Sequence, residues 1–275
     1  MLQSSIHISD EQGISVNTSG STLVLLLGNG YLSYSINDDI AKKVHTWNVY
    51  NYSGNAIDAI YALLQKHPEL KNDFRNRYFI TDTASCVLIP GSIADDVLSH
   101  QVLQHSIGDL LNATVLKQEL PNRGAVCCFA LPKVLEEYLR SNFPGIGIKH
   151  LHAEWLHAKP STGVDIKLCF LYQQMHVCIQ KEGQLLLMQQ YPFETPDDAL
   201  YAILNVADQL QIDLKVCPIV LEGMIDQQSA LAVKLQQYLP HIVWNEPSFN
   251  QFPASAEQYP ATFLAFQDRL LSCVL

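Results

Sequence analysis

The sequence predicts an α/β protein built from two similarly ordered halves. Strand-length apolar runs alternate with segments of helical periodicity along the whole chain. A second observation is that the opening order of three strands and a helix occurs twice. Third, one helix repeats almost residue for residue: Asp58-Ala59-Ile60-Tyr61-Ala62-Leu63-Leu64 matches Asp198-Ala199-Leu200-Tyr201-Ala202-Ile203-Leu204 at a constant offset of 140 (198 minus 58).

In order, residues 1–20 read as a polar leader. Residues 22–28 are a compact apolar strand, Gly28-Asn29-Gly30 a turn and residues 31–36 an alternating strand, together a hairpin. A third strand follows near 43–50. Asn55 then caps a helix with Ile57, Ile60, Tyr61 and Leu64 at helical spacing and Asp58 three residues after the cap, ending near Pro68. Strands are expected at 78–81 and 86–89, a helix over 92–106, and strands again at 114–119 and 125–131. Pro132 opens a helix to Phe143, because proline is tolerated in a first turn, and Pro144-Gly145-Ile146-Gly147 breaks it.

The second half reads as strand 165–171, turn 172–174, strand 175–180, turn Glu182-Gly183 and strand 184–190. Thr195-Pro196-Asp197-Asp198 starts a helix with a capping threonine, proline at the first position and an acid at the third. Strand 217–221, helix 227–239, strand 242–244, a proline-containing loop and helix 261–271 complete the chain. The hairpins correspond as well, Leu32 with Met175 at an offset of 143 (175 minus 32), and this agreement of separate elements reads as an internal duplication.

Composition limits the function. The 275 residues are 48% hydrophobic, enough for a sizeable core, and carry 27 acids against 17 Lys and Arg, a formal charge of −10. Phosphate-backbone binding needs clustered cations, so nucleic acid is not expected as a partner. No apolar run approaches the roughly 20 residues that span a bilayer. The first ten residues contain no Lys or Arg and no long apolar run, unlike a secretory or transit peptide. Seven cysteines, Cys86, Cys127, Cys128, Cys169, Cys178, Cys217 and Cys273, lack a Cys-x-x-Cys pair and read as reduced core thiols of a cytoplasmic protein.

The hairpin 23–36, Leu88-Ile89-Pro90, the passage Phe129-Ala130-Leu131-Pro132 with Leu135, Leu139 and Phe143, Leu221-Glu222-Gly223-Met224-Ile225 with Ser229 and Leu231, and residues 263–271 together carry a family resemblance. The chain resembles the domain-of-unknown-function family of Bacteroidetes proteins with an actin-like ATPase fold, within the superfamily of actin, sugar kinases, chaperone ATPases and pilus and secretion assembly proteins. The resemblance implies a duplicated actin-like ATPase (ribonuclease H-like) fold of two lobes, each a mixed sheet flanked by helices. The first would take 21–150, with a small insertion about 82–120, and the second 151–275.

It also implies two glycine-rich hairpin turns opened by aspartates, which would hold ATP phosphates and organise Mg²⁺. Here Gly28-Asn29-Gly30 keeps the glycines without an acid, and Leu171-Tyr172-Gln173-Gln174 has neither. Of the paired glycines expected in the adenosine loop, only Gly223 stands, followed by Met224. Turn geometry alone accounts for Gly28, Gly30 and Gly223.

No catalytic, cofactor or metal residue is therefore assigned. His150 and His152 on one strand face, with His157 and His176 as companions, are the best metal candidate, yet they lack placed Cys or carboxylate partners. Asp58, Asp197 and Asp198 read as helix caps, and Cys127-Cys128 as an inert core pair. The expectation is a silent protein working through protein contacts as a scaffold or assembly factor, with a protein partner. The alternative is an ATPase or kinase whose carboxylates come from Asp82 and Glu222, at offset 140 (222 minus 82).

Overall fold

Apolar runs buried on both faces become the central strands, and the segments with a single apolar stripe become the helices that cover them. The computed structural model describes residues 2–9, 18–82, 86–157, 163–247 and 252–274. Much of the polar leader, residues 10–17, and the side chain of Cys273 lie outside the described residues. The chain divides into two units, Met1–His157 with Gln251–Ala256 and Val274–Leu275, and Ala158–Asn250 with Glu257–Cys273.

The first unit begins with β1 (Gln3–Ser9), β2 (Ser21–Gly28), β3 (Tyr31–Asp38), β4 (Lys43–Asn51), α1 (Ala56–Lys66) and β5 (Asn76–Asp82). There follow β6 (Cys86–Pro90), α2 (Asp96–Ile107), β7 (Ala113–Leu120), β8 (Ala125–Pro132), α3 (Lys133–Asn142), β9 (Gly147–His150) and α4 (Leu151–Leu156). Its main sheet has the order β1-β4-β3-β2-β5-β9, with β5 parallel to β2 and β9 parallel to β5, and β6-β8-β7 form a separate antiparallel sheet. Leu23, Leu25 and Leu27 pack with Leu63 of α1 and Leu139 of α3 in one core cluster. Each such fully buried leucine contributes about 1.5–3 kcal/mol.

The second unit comprises β10 (Val164–Leu171), β11 (Gln174–Lys181), β12 (Gln184–Pro192), α5 (Pro196–Gln209), β13 (Ile219–Gly223), α6 (Ala230–Tyr238), β14 (Ile242–Trp244) and α7 (Ala261–Val274). Its sheet order, β12-β11-β10-β13-β14, repeats the β4-β3-β2-β5-β9 portion of the first, again with parallel fourth and fifth strands. Leu168, Phe170, Leu200, Ile203 and Leu221 share its core. Thr195 and Asp198 form the reciprocal capping box at the start of α5, whereas α1 is capped by Asn55 Oδ1, which accepts the Ile57 N–H at 2.8 Å.

The ladders refine the internal correspondence. Leu23 pairs with Ile36 and Ile166 with Ile179, both at an offset of 143 (166 minus 23, 179 minus 36). A register shift follows Ile36 against β4 and Ile179 against β12, the same place in each unit. The returning strand differs: Leu25 lies beside Phe79 and Leu168 beside Leu221, an offset of 142 (221 minus 79). Asp82 and Glu222 are thus two residues apart in ladder register.

Several elements depart from the sequence reading. Gln3–Ser9, inside the stretch read as leader, is a strand pairing with β4, with Ile6 and Ile8 buried. His150 and His152 are not on one strand: His150 ends β9 and His152 lies in α4, whose six residues are all buried and so show no amphipathic period. Helix α6 starts three residues later than expected, because Asp226 holds a turn through its Oδ1 and the Gln228 N–H (2.6 Å), leaving Ser229 as the cap.

Candidate functional site

At the first hairpin, Gly28 ends β2 directly opposite Tyr31, and Gly30 takes the left-handed φ of 81° that the turn demands. Gly28 itself is required by close approach: a Cβ there would stand 2.0 Å from the Tyr31 ring. An aromatic ring folded over a cross-strand glycine is a known way of sealing such a gap. The Tyr31 hydroxyl continues to Asp82, donating to Oδ2 at 2.5 Å, and Asp82 is the ladder partner of Gly28 on β5. Both side chains are buried. Tyr52 closes the outside of the turn, its hydroxyl donating to the Gly28 carbonyl at 3.0 Å. The residues present do not fit ATP phosphates and Mg²⁺ here, since Tyr31 occupies the surface of the glycine and engages the nearest carboxylate.

The second hairpin turn is led by Tyr172, a non-glycine residue at φ 56°. On β13, Glu222 is buried, ion-paired with Arg269 of α7, and accepts from Asn245 Nδ2 at 2.9 Å. Gly223 follows at φ 86°, where a Cβ would lie 2.3 Å from the Phe170 carbonyl oxygen; the Met224 N–H donates to that same oxygen at 2.6 Å. Both glycines the sequence singled out at strand ends are accounted for by contacts within their own units. Asp58 lies in the first turn of α1, Asp198 completes the α5 capping box, and Asp197 pairs with Lys234 at 2.7 Å on the surface.

His150 and His152 stay together, and Cys86 joins them, one ligand atom of each lying within 4.8 Å of the others. His150 Nδ1 accepts the His152 N–H at 3.1 Å and so caps α4, while His152 Nδ1 lies 3.3 Å from Cys86 Sγ. His157 stands 3.7 Å from Glu154, a buried carboxylate that also accepts from Lys149 Nζ at 3.1 Å, and His176 is buried on β11 of the second unit. Cys86, read from the sequence as a core thiol, is half-buried, and it stands 64 residues before His150 with no local motif joining them (150 minus 86). One polar cavity of about 370 Å³ lies within the second unit, beside the chain leaving β13, with Asp226, Trp244, Asn245, Tyr259 and Thr262 in its lining.

Comparison with solved structures places the fold. A Bacteroides thetaiotaomicron protein described as having an actin-like ATPase fold and unknown function superposes with a TM-score of 0.76 at 15% identity, over 92% of this chain and 96% of that one. The PilM–PilN type IV pilus biogenesis complex gives 0.53 at 12% identity, over 92% and 98%. At these identities the likeness establishes the fold: this is an actin-like ATPase-fold protein. No curated protein matches the sequence significantly. Residues 10–242 match the family described as "Protein of unknown function (DUF3822)", and the chain belongs to that family.

Proposed function

We propose that this chain is a catalytically silent protein of the actin-like ATPase fold that acts through protein contacts, as a scaffold or assembly factor in the cytoplasm. The carrying observation is Tyr31, which lies over Gly28 and hydrogen-bonds Asp82. Phosphoryl chemistry on this fold requires backbone open to phosphate and carboxylates available to Mg²⁺. Here the chain's own side chains engage both, and Glu222 is held by Arg269. A pilus protein of the same fold is known in complex with PilN, which supports partner binding by analogy of fold alone.

The proposal includes descent by duplication, with halves at 21–150 and 151–275. Its support is the repeated strand order and the bulge at the same place in each. Among the described residues, no helix is long and apolar enough to cross a membrane.

Thermal-shift titration with millimolar Mg·ATP tests the silent reading, because a ligand binding only the native state must raise Tm. No shift and no hydrolysis are expected. Mg²⁺-dependent hydrolysis abolished by Asp82→Asn would overturn it. Proteins co-purifying from the native host test the scaffold part, and a monomer with no companion counts against it. A second reading, nucleotide binding with rearranged ligands, is favoured by the cavity beside Asp226, whose volume is within the range of small-molecule sites. It requires a Tm rise that Asp226→Ala removes.

A further inference from the structure

Six cysteines have described side chains; Cys127, Cys128, Cys169, Cys178 and Cys217 are buried, and Cys86 is half-buried. Cys86 opens β6 opposite Phe129, which sets Cys127, opposite Leu88, diagonally across on the same face of the β6-β8-β7 sheet. His152 Nδ1 stands 3.3 Å from the Cys86 sulfur, and one nitrogen each of His150 and His152 falls with it inside a 4.8 Å cluster. Because His150 Nδ1 accepts the His152 N–H, the neutral His150 ring carries its proton on Nε2 and offers a donor. A neutral imidazole bound to a metal needs its other nitrogen protonated and donating. His150 has the reverse arrangement, which suits an anionic sulfur better than a cation.

We propose that Cys86 is the reactive thiol of this chain, a site of covalent modification by soft electrophiles and hydroperoxides. The Cys127 hydrogen bond, followed by His150 and His152, holds Cys86 well below the ordinary thiol range against the opposing effect of burial. Hydrogen bonding to Cys86, together with burial and the neighbouring charge, pushes Cys127 up. The pair is thereby divided into one nucleophile and one donor. With a maleimide, the sulfur bonds to an alkene carbon as the C=C π bond breaks, and the adjacent carbon takes a proton from solvent. With hydrogen peroxide, an S–O bond forms as the O–O bond breaks; sulfur is oxidised by two electrons to sulfenic acid, and the departing hydroxide leaves as water after protonation by solvent.

The test is timed alkylation of the folded protein with N-ethylmaleimide, read by peptide mass spectrometry between about pH 6 and pH 9, alongside dimedone trapping after peroxide. Cys86 is expected to label about tenfold ahead of the buried cysteines, at a rate nearly flat across this range, and to be the residue that dimedone traps. His150→Asn keeps a good helix cap while deleting the imidazole, and should slow labelling about tenfold near pH 6 with little change near pH 9. Should that variant not fold, the parent protein's pH profile decides alone. A rate that climbs like that of an ordinary thiol up to about pH 8.5 overturns the proposal. So does preferential labelling elsewhere, or one equivalent of zinc that is carried by the native protein and lost in Cys86→Ser.

Discussion

Tyr31 of β3 and Asp82 of β5 meet at 2.5 Å, hydroxyl to carboxylate, over Gly28 at the end of the intervening β2 in the interior of the first unit. Removing only the hydroxyl leaves the ring over Gly28 and takes one donor from a buried carboxylate. Tyr31→Phe is therefore expected to destabilise the protein by about 1–3 kcal/mol, measured by urea unfolding. An unchanged midpoint would mean that this hydrogen bond does not anchor the turn.

The same ring makes Gly28 intolerant of a side chain. Gly28→Ala is expected to cost roughly 2 kcal/mol or more, because the new Cβ overlaps the Tyr31 ring. In a Tyr31→Ala background the added penalty should fall below about 1 kcal/mol, giving a strongly non-additive double-mutant cycle. Additive losses would place the requirement for glycine elsewhere in the turn.

Arg269 is the counterion of a buried glutamate on β13. Arg269→Met strands the Glu222 charge, and a loss of about 3–5 kcal/mol is expected in equilibrium unfolding. Adding Glu222→Gln removes that charge and should recover much of the loss. A double variant no more stable than the single one would show that the guanidinium matters through packing instead.

Asp198 gives the expected pH dependence. The Thr195 backbone N–H, then the Thr195 hydroxyl and the Glu194 N–H, hold its carboxyl below the ordinary aspartate value of 3.8. A depressed folded value means that the stabilisation is present above the unfolded value and is lost as pH falls through the folded one. Carboxyl NMR titration should find Asp198 below 3.8 in the folded protein, and Asp198→Asn should flatten the acid limb of stability in that window. Since the group is fully exposed, solvent screens the effect and the change in slope is small.

The fold was largely legible because its signals are local. The alternation in 31–36, the Asn55 and Thr195 caps and the Pro132 entry each lie within a few residues, and each became the expected element. Strand β1 was overlooked although Ile6 and Ile8 alternate, because the surrounding polar residues dominate so short a stretch. Helix α4 left no period to find, since all of its faces are buried. The site residues were harder for a different reason. Gly28, Asp82 and Glu222 are visible as residue types, but Tyr31 is a typical strand aromatic until the hairpin sets it across from glycine. Cys86 and His150 meet only through tertiary structure, and no spacing rule in one sequence joins them.

The two-residue difference between the returning strands bears on how the halves can be exchanged. Their hairpins share one numbering offset and their fourth strands another, so a chimera that grafts β13 in place of β5 by aligning Glu222 on Asp82 would carry its side chains two positions along the ladder. Strand faces would be preserved, because the shift is even. The acid would then take Asp82's rung opposite Gly28, while the apolar residues of β13 would each stand two rungs away from the neighbours they have in their own sheet. The halves share a strand order but not one register, and any recombination between them has to be indexed on the hydrogen-bond ladder rather than on the helix that most resembles its counterpart.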